Sequence, residues 1–214
     1  MTSRSPFTQK FAKLPETLPI FPLQGAVLLP DGSLPLNIFE PRYLNMVQDS
    51  MQTHRLIGMI QPRDQNSVPA LYDTGCAGRI TRYLETHDGR LEIVLSGICR
   101  FRVQRELDTV RGYRLVIPDW SEYSVDYEVQ EPSETSMAML HSSLRAYFDN
   151  NDIEADWNLL DQLKPSLQVS TLLGALPLTN EDKQLLLEAP SLEERVRAFA
   201  ALLIERDDIP VQQH

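Results

Sequence analysis

The sequence predicts an α+β protein: a curled β pseudo-barrel lobe carrying one helix, followed by a C-terminal helical bundle lobe. Three observations carry this. Short extended runs with alternating apolar residues, separated by turn dipeptides, fill the first 118 residues. From residue 133 onward the apolar residues switch to helical spacing behind capping side chains. The charge changes at the same place, with 14 Lys+Arg against 11 Asp+Glu in residues 1–118 and 6 against 19 in residues 119–214. The expected division is a flexible arm (1–15), a β-rich lobe (16–118), a connecting segment (119–132) and a helical lobe (133–208).

The stretch LPIFPLQGAVLLPDGSLPLNIFEPRYLNMV, residues 18–47, organises the first lobe. Its prolines at 19, 22, 30, 35 and 41 cannot donate to a ladder and bias the preceding residues toward extended geometry. Ile20-Phe21 and residues 26–29 therefore read as strands, with Asp31-Gly32 as a turn. Residues 34–39 form a third extended piece with Leu34, Leu36 and Ile38 on one face. Pro41 suits the first position of a helix and Glu40 its positive end, with Leu44, Val47 and Met51 following at helical spacing.

Residues 55–60 (RLIGMI) read as a buried strand and residues 61–69 as a loop. Residues 76–84 and 91–95 read as a hairpin around His87-Asp88-Gly89-Arg90, where Asp-Gly favours a primed turn. Ser96-Gly97 is expected to break the return strand. Residues 98–104 alternate, with Cys99, Phe101 and Val103 inward and Arg100 and Arg102 outward. Residues 113–117 are a further strand. Six or more short strands close most economically into a barrel, which removes edges.

In the helical lobe, Ser133 caps a helix bearing Met137, Leu140, Leu144, Tyr147 and Phe148. Residues 153–163 form a shorter helix ended by Pro165, and residues 167–176 a largely apolar one. Thr179 to Asp182 cap the next. Ser191 and Glu194 have the spacing of a capping box ahead of a stripe of Leu192, Val196, Phe199 and Leu203.

Composition bounds the function. A hydrophobic fraction of 42% in 214 residues is that of a globular protein able to bury a core. No apolar run approaches the ~20 residues of a membrane helix. The opening MTSRSPFTQKFAKL lacks the apolar region of a secretory signal, so a cytoplasmic location is expected. A formal net charge of −10 opposes phosphate backbones, so neither nucleic acid nor membrane is an expected partner. Cys76 and Cys99 read as free, buried side chains, and the histidines at 54, 87, 141 and 214 are scattered. No metal-ligand spacing occurs and no cofactor is expected.

The segments LPIFPLQGAVLLPDGSLPLNIFEPRY, DTGCAGRI, LEIVLSGICRFRV and EDKQLLLEAPSLEERV, taken together, resemble the N-terminal, substrate-binding domain of the ATP-dependent Lon protease. Phe39-Glu40-Pro41-Arg42-Tyr43 is most like the stand-alone bacterial members. The resemblance covers roughly residues 16–207. It implies a PUA-like β pseudo-barrel lobe followed by helices, and recognition of protein substrates rather than their cleavage. The ATPase and Ser-Lys peptidase of a complete Lon protease find no counterpart here, and no G-x-x-x-x-G-K-[ST] occurs.

The expected function is therefore a non-catalytic module that binds unfolded or exposed apolar protein segments, with no catalytic residues. Its candidate peptide-binding residues are Leu36, Phe39, Arg42, Tyr43, Trp120 and Tyr123. An adaptor joining an ATPase or protease partner is the alternative, and a small-molecule enzyme on this fold a third. Glu40 and Arg42 read either as a ligand grip or as an ion pair pinning the helix to the sheet. Arg79, Arg82, Arg100 and Arg102 read either as a basic face, or as a solvated sheet surface or a contact to the acidic lobe. Trp120, Tyr123 and Tyr127 read either as a groove between lobes or as packing of the connecting segment.

Overall fold

In the computed structural model, which describes residues 8–108 and 111–207, the chain divides between Val129 and Gln130 into two compact units. The first holds six strands and one α-helix: β1 Leu18–Pro22, β2 Ser33–Ile38, α1 Pro41–Gln52, β3 Leu56–Ile60, β4 Thr74–Glu85, β5 Leu91–Leu107 and β6 Arg114–Asp119. The sheet order is β2-β5-β4-β3-β1-β6, and β6 returns to pair with β5. Strands β5, β4, β3, β1 and β6 thus close a ring, with β2 attached outside it. Only β1 and β3 run parallel; the other pairs are antiparallel.

One long strand makes closure possible. Instead of breaking at Ser96-Gly97, β5 continues for 17 residues. Its first half pairs with β2 and its second half with β6, while β4 lies along its other side. Register shifts against β4 and β6 bend it, as bulges do at barrel corners. Gly97 is the tightest point: a Cβ there would stand 1.9 Å from the Leu29 carbonyl oxygen. The Gly97 carbonyl accepts from Asp31 N–H at 3.1 Å, and its N–H donates to Gly32 O at 2.9 Å.

That approach explains a second correction. Residues 26–29 are not a strand but a crossing segment whose Leu28 and Leu29 are buried. The turn after them closes through Gly32 N–H to Leu29 O at 2.9 Å, with Pro30 second and Asp31, at φ 63°, third. Asp31, not Gly32, takes the left-handed conformation. At the β4–β5 hairpin, Gly89 alone of the turn residues has positive φ (81°), so the loop is not the primed turn that Asp-Gly suggested.

The barrel interior contains Leu18, Ile20, Leu56, Ile60, Cys99, Phe101 and Val116. Cys76 and Cys99 are both buried and free, as expected. Residues 8–15 are not a loose arm. Phe11 stacks edge-on against Tyr127 at 5.3 Å, Tyr127 Oη donates to Gln9 O at 2.9 Å, and Trp120 Nε1 donates to Pro15 O at 3.0 Å. The remainder of the proposed arm, residues 1–7, lies outside the described residues.

The connecting segment is likewise part of the first unit. Its 3₁₀ segment Ser121–Tyr127 carries Asp126 into the interior to meet Arg100. Arg100, expected to face outward, is wholly buried because a carboxylate meets it there. Asp126 Oδ1 lies 2.7 Å from Arg100 Nη2, and Oδ2 accepts the Arg100 backbone N–H at 2.9 Å. Arg102 does face outward, onto Glu122, with its Nε 2.7 Å from Oε2. A single basic face of four arginines therefore does not form.

The second unit consists of α2 Glu134–Asn150, α3 Trp157–Gln162, α4 Pro165–Ala175, α5 Asn180–Glu188 and α6 Leu192–Asp207. Ser133 caps α2 and Thr179 caps α5, the latter in a reciprocal capping box with Asp182. Asp156 caps α3, which begins four residues later than expected. Pro165 occupies the first turn of α4, where its missing N–H costs nothing, rather than merely ending the helix before it. Leu192, Val196, Phe199 and Leu203 are buried together along α6. Ser191 Oγ accepts Glu194 N–H and donates back to the Glu194 carboxylate.

Candidate functional site

The six sequence-predicted binding residues separate into three places within the first unit. Trp120 and Tyr123 belong to its interior. Tyr123 is 4% exposed, and its hydroxyl lies 3.0 Å from Thr74 Oγ1 beneath the Arg100 guanidinium. Trp120 sits edge-on to Phe101. Burial removes Tyr123 from any surface, and Trp120 is held by the N-terminal segment. The aromatic spacing that singled them out is equally the spacing of residues that close a barrel end.

Leu36 and Phe39 lie at the outer strand. β2 pairs with β5 alone, so its other edge has no strand partner among the described residues. The bond from Gly97 N–H to Gly32 O sets the ladder's parity, directing the even-numbered residues of β2 toward β5. Pro35 therefore faces the open edge, where its missing N–H breaks no ladder bond. On the paired side, a groove of about 290 Å³ crosses β2, β5 and β4, lined by Pro35, Leu36, Asn37, Glu92, Val94 and Arg82. Just beyond the strand, Phe39 is 62% exposed, with the Arg90 guanidinium 5.7 Å from its ring centre. Phe39 keeps most of its apolar area in water, although the interior begins at its neighbour Ile38.

Arg42 and Tyr43 open the third place, a cleft of about 480 Å³ at the start of α1. Glu40 is the N-cap and Pro41 the first helical residue, so the next two side chains emerge on the first turn. The Tyr43 ring packs on Phe21 with centroids 4.2 Å apart, and the Arg42 guanidinium lies 4.5 Å from the ring centre. Burial is the main force pushing the Tyr43 phenol above its ordinary value, and Arg42 opposes it. Arg42 Nε donates to Glu40 Oε2 at 3.0 Å.

The opposite wall is the loop between β3 and β4. It is closed at its base by Tyr72 N–H to Gln61 O and Arg63 N–H to Ala70 O. Asp64 holds it from within, accepting the N–H groups of Asn66 at 3.0 Å and Ala70 at 3.2 Å. Arg114, from β6, pins it by donating to Pro69 O at 2.7 Å while pairing with Glu106. Val68 stands 75% exposed on the rim. Sequence reading passed over this loop as a polar connection; its only signal was the pair of prolines, 62 and 69, that frame it.

The cleft thus combines proline and valine surface with guanidinium, phenol and amide groups. Among the described residues no group of three His, Cys, Asp or Glu side chains converges to hold a metal ion. No described helix is long and apolar enough to cross a membrane.

Comparison with known proteins agrees with this architecture. The Lon protease of Parabacteroides distasonis is 27% identical over 209 residues, covering 92% of this chain and 24% of that protein. Lon protease 2 of Thermus thermophilus is 26% identical, covering 89% of this chain and again 24% of the relative. The chain therefore spans about a quarter of the length of these curated relatives. Among solved structures, a Lon N-terminal domain protein from Xanthomonas campestris is similar with a TM-score of 0.64 and 28% identity, over 86% of this chain and 97% of that one. The N-terminal domain of the Mycobacterium avium complex Lon protease shares the fold, with a TM-score of 0.62 over 91% of this chain. Residues 17–205, both units together, match the ATP-dependent protease La (LON) substrate-binding domain, and the chain belongs to that family.

Proposed function

We propose that this chain is a non-catalytic module that binds exposed apolar segments of other polypeptides, using the outer strand β2 and the adjoining cleft. The observation that carries the reading is Phe39, a large aromatic side chain 62% exposed at the end of β2, a strand with one unpartnered edge among the described residues and a groove across its paired side. Aromatic side chains supply large apolar area at binding surfaces. Leu36 extends that surface, and Arg42 and Tyr43 adjoin it. Phe39 and Arg42 are three positions apart in the chain, so their Cα atoms lie within roughly 11 Å of one another. A single short segment of ligand reaches both. The family's description as a substrate-binding domain supports the same reading.

The test is fluorescence anisotropy with one labelled polypeptide, held either permanently unfolded or natively folded. The unfolded form should bind saturably and the folded form should not. Phe39→Ala should weaken binding several-fold while leaving the circular dichroism spectrum unchanged. Equal binding of the two forms, or indifference to Phe39→Ala, would overturn the assignment.

A further inference from the structure

We propose that the cleft at the start of α1 receives the free C-terminal carboxylate of a bound polypeptide, with Arg42 and Tyr43 as its hydrogen-bond donors. The inference rests on the polypeptide-binding reading and names the part of the ligand that this cleft recognises.

Tyr43 is the first observation. Its side chain is only 7% exposed and it lines the cleft. Its ring has two partners, Phe21 and Arg42, yet its hydroxyl makes no hydrogen bond among the described residues. The ring is thus fixed while the hydroxyl opens onto the cleft, where it can donate to an acceptor that arrives from outside.

Arg42 is the second. Its guanidinium stacks on that same ring, placing two kinds of donor side by side. Both of its contacts to Glu40, through Nε at 3.0 Å and Nη2 at 2.8 Å, fall on the single oxygen Oε2. The remaining terminal nitrogen is available to a second acceptor. The pair is about half exposed, and such pairs contribute little, so an incoming carboxylate displaces Glu40 readily.

The third observation concerns the acids. Asp64 is the one carboxylate on the lining, and its two oxygens already accept backbone N–H groups of its own loop. Glu106 is engaged by Arg114. The one acid on the lining is thus already engaged, while Arg42 and Tyr43 offer donors, and an ionised carboxylate consists only of acceptors. A volume of about 480 Å³ is that of a small-ligand cleft, fitting a chain end with its last side chains rather than a long through-running strand. The prolines and Val68 give those last side chains an apolar wall.

The experiment compares three fluorescein-labelled peptides of one apolar sequence. One ends in a free carboxylate, one in an amide, and one carries an internal aspartate with an amidated end. Anisotropy titrations should give about tenfold tighter binding of the free acid than of either amide, the scale of a charge-assisted hydrogen bond. Arg42→Gln, and independently Tyr43→Phe, which keeps the ring against Phe21, should bring acid and amide to the same affinity. Phe39→Ala should weaken all three peptides by one factor and preserve their ratio. Equal binding of acid and amide by the unmodified protein would overturn this inference and leave the general polypeptide-binding reading standing. So would a preference that survives both cleft variants, or an internal aspartate that binds as well as the free end. Failure of every peptide to bind would overturn both.

Discussion

Asp126→Ala should be among the most damaging single substitutions in the first unit. Arg100 and Asp126 side chains are both 0% exposed, and four contacts join them. Arg100 N–H reaches Oδ2 at 2.9 Å, Nε reaches Oδ1 at 3.2 Å and Oδ2 at 3.0 Å, and Nη2 reaches Oδ1 at 2.7 Å. Removing the carboxylate leaves a guanidinium buried without its counter-charge and takes an acceptor from a strand N–H. Breaking a buried pair in this way costs about 3–5 kcal/mol. With a urea dependence of roughly 1–3 kcal/mol per molar, the midpoint should fall by about 2 M. Trp120 and Trp157 are the two tryptophans of the chain, one in each unit. A Trp157→Phe background therefore makes tryptophan fluorescence report on the first unit alone. The paired replacement Arg100→Met with Asp126→Leu should recover much of the loss, since apolar substitution of a whole buried pair is often neutral. A loss below about 1 kcal/mol in the single variant would refute the view that this pair ties the 3₁₀ segment to β5.

Gly97→Ala places a methyl 1.9 Å from the Leu29 carbonyl, so the crossing segment must move; a loss of about 3 kcal/mol is expected in thermal melts, and an unchanged melt would contradict the packing described. The Glu193 carboxyl is held below the usual carboxylate range first by the Ser136 hydroxyl and then by the Ser133 N–H. A depressed folded value means that its contribution is present above pH ~4.3 and is lost as pH falls through the folded value, so Glu193→Gln should flatten the acid limb of a stability-versus-pH curve for the second unit. Cys76 and Cys99 should be inert to a thiol reagent in the native protein and both titrate in denaturant, whereas a single disulfide in the mass spectrum would refute free thiols. Arg42→Ala should change stability by less than about 0.5 kcal/mol, because its partner is exposed; a larger loss in urea titration would favour a structural role for the pair.

Much of this architecture was legible because its signals are local. Proline positions, period-two alternation along β2, and the caps at Ser133 and Thr179 each depend on residues within a few places of one another. What was hidden depends on partners far along the chain. Arg100 reads as an outward residue because its neighbours alternate, and only Asp126, 26 residues on, makes its burial tolerable. The break expected at Ser96-Gly97 came from treating glycine as a strand breaker, whereas Gly97 is required by the approach of Leu29 from another segment. The charge boundary at residue 118 misled for the same reason. Asp119, Glu122, Asp126 and Glu128 belong to the first unit, where residues 1–129 hold 14 Lys+Arg against 15 Asp+Glu. The apparent basic excess of the β lobe is matched by acids its own C-terminal segment brings back.

The same distinction bears on Glu40 and Arg42. From sequence they stood equally well for a ligand grip or for a pin between helix and sheet. A pin requires burial, since an exposed pair spends on side-chain entropy what it gains in attraction. Here both side chains are nearly half in water, and the helix start is already fixed by Pro41 and by the Tyr43 ring against Phe21. The pair therefore contributes little to the fold that its neighbours do not supply. Its position matters in another way: the Arg42 guanidinium lies 4.5 Å from the Tyr43 ring centre on the lining of the cleft, with a partner exposed enough to be replaced. A charged residue that adds little to stability and lines a cleft is better explained by what approaches it from outside than by what lies beneath it.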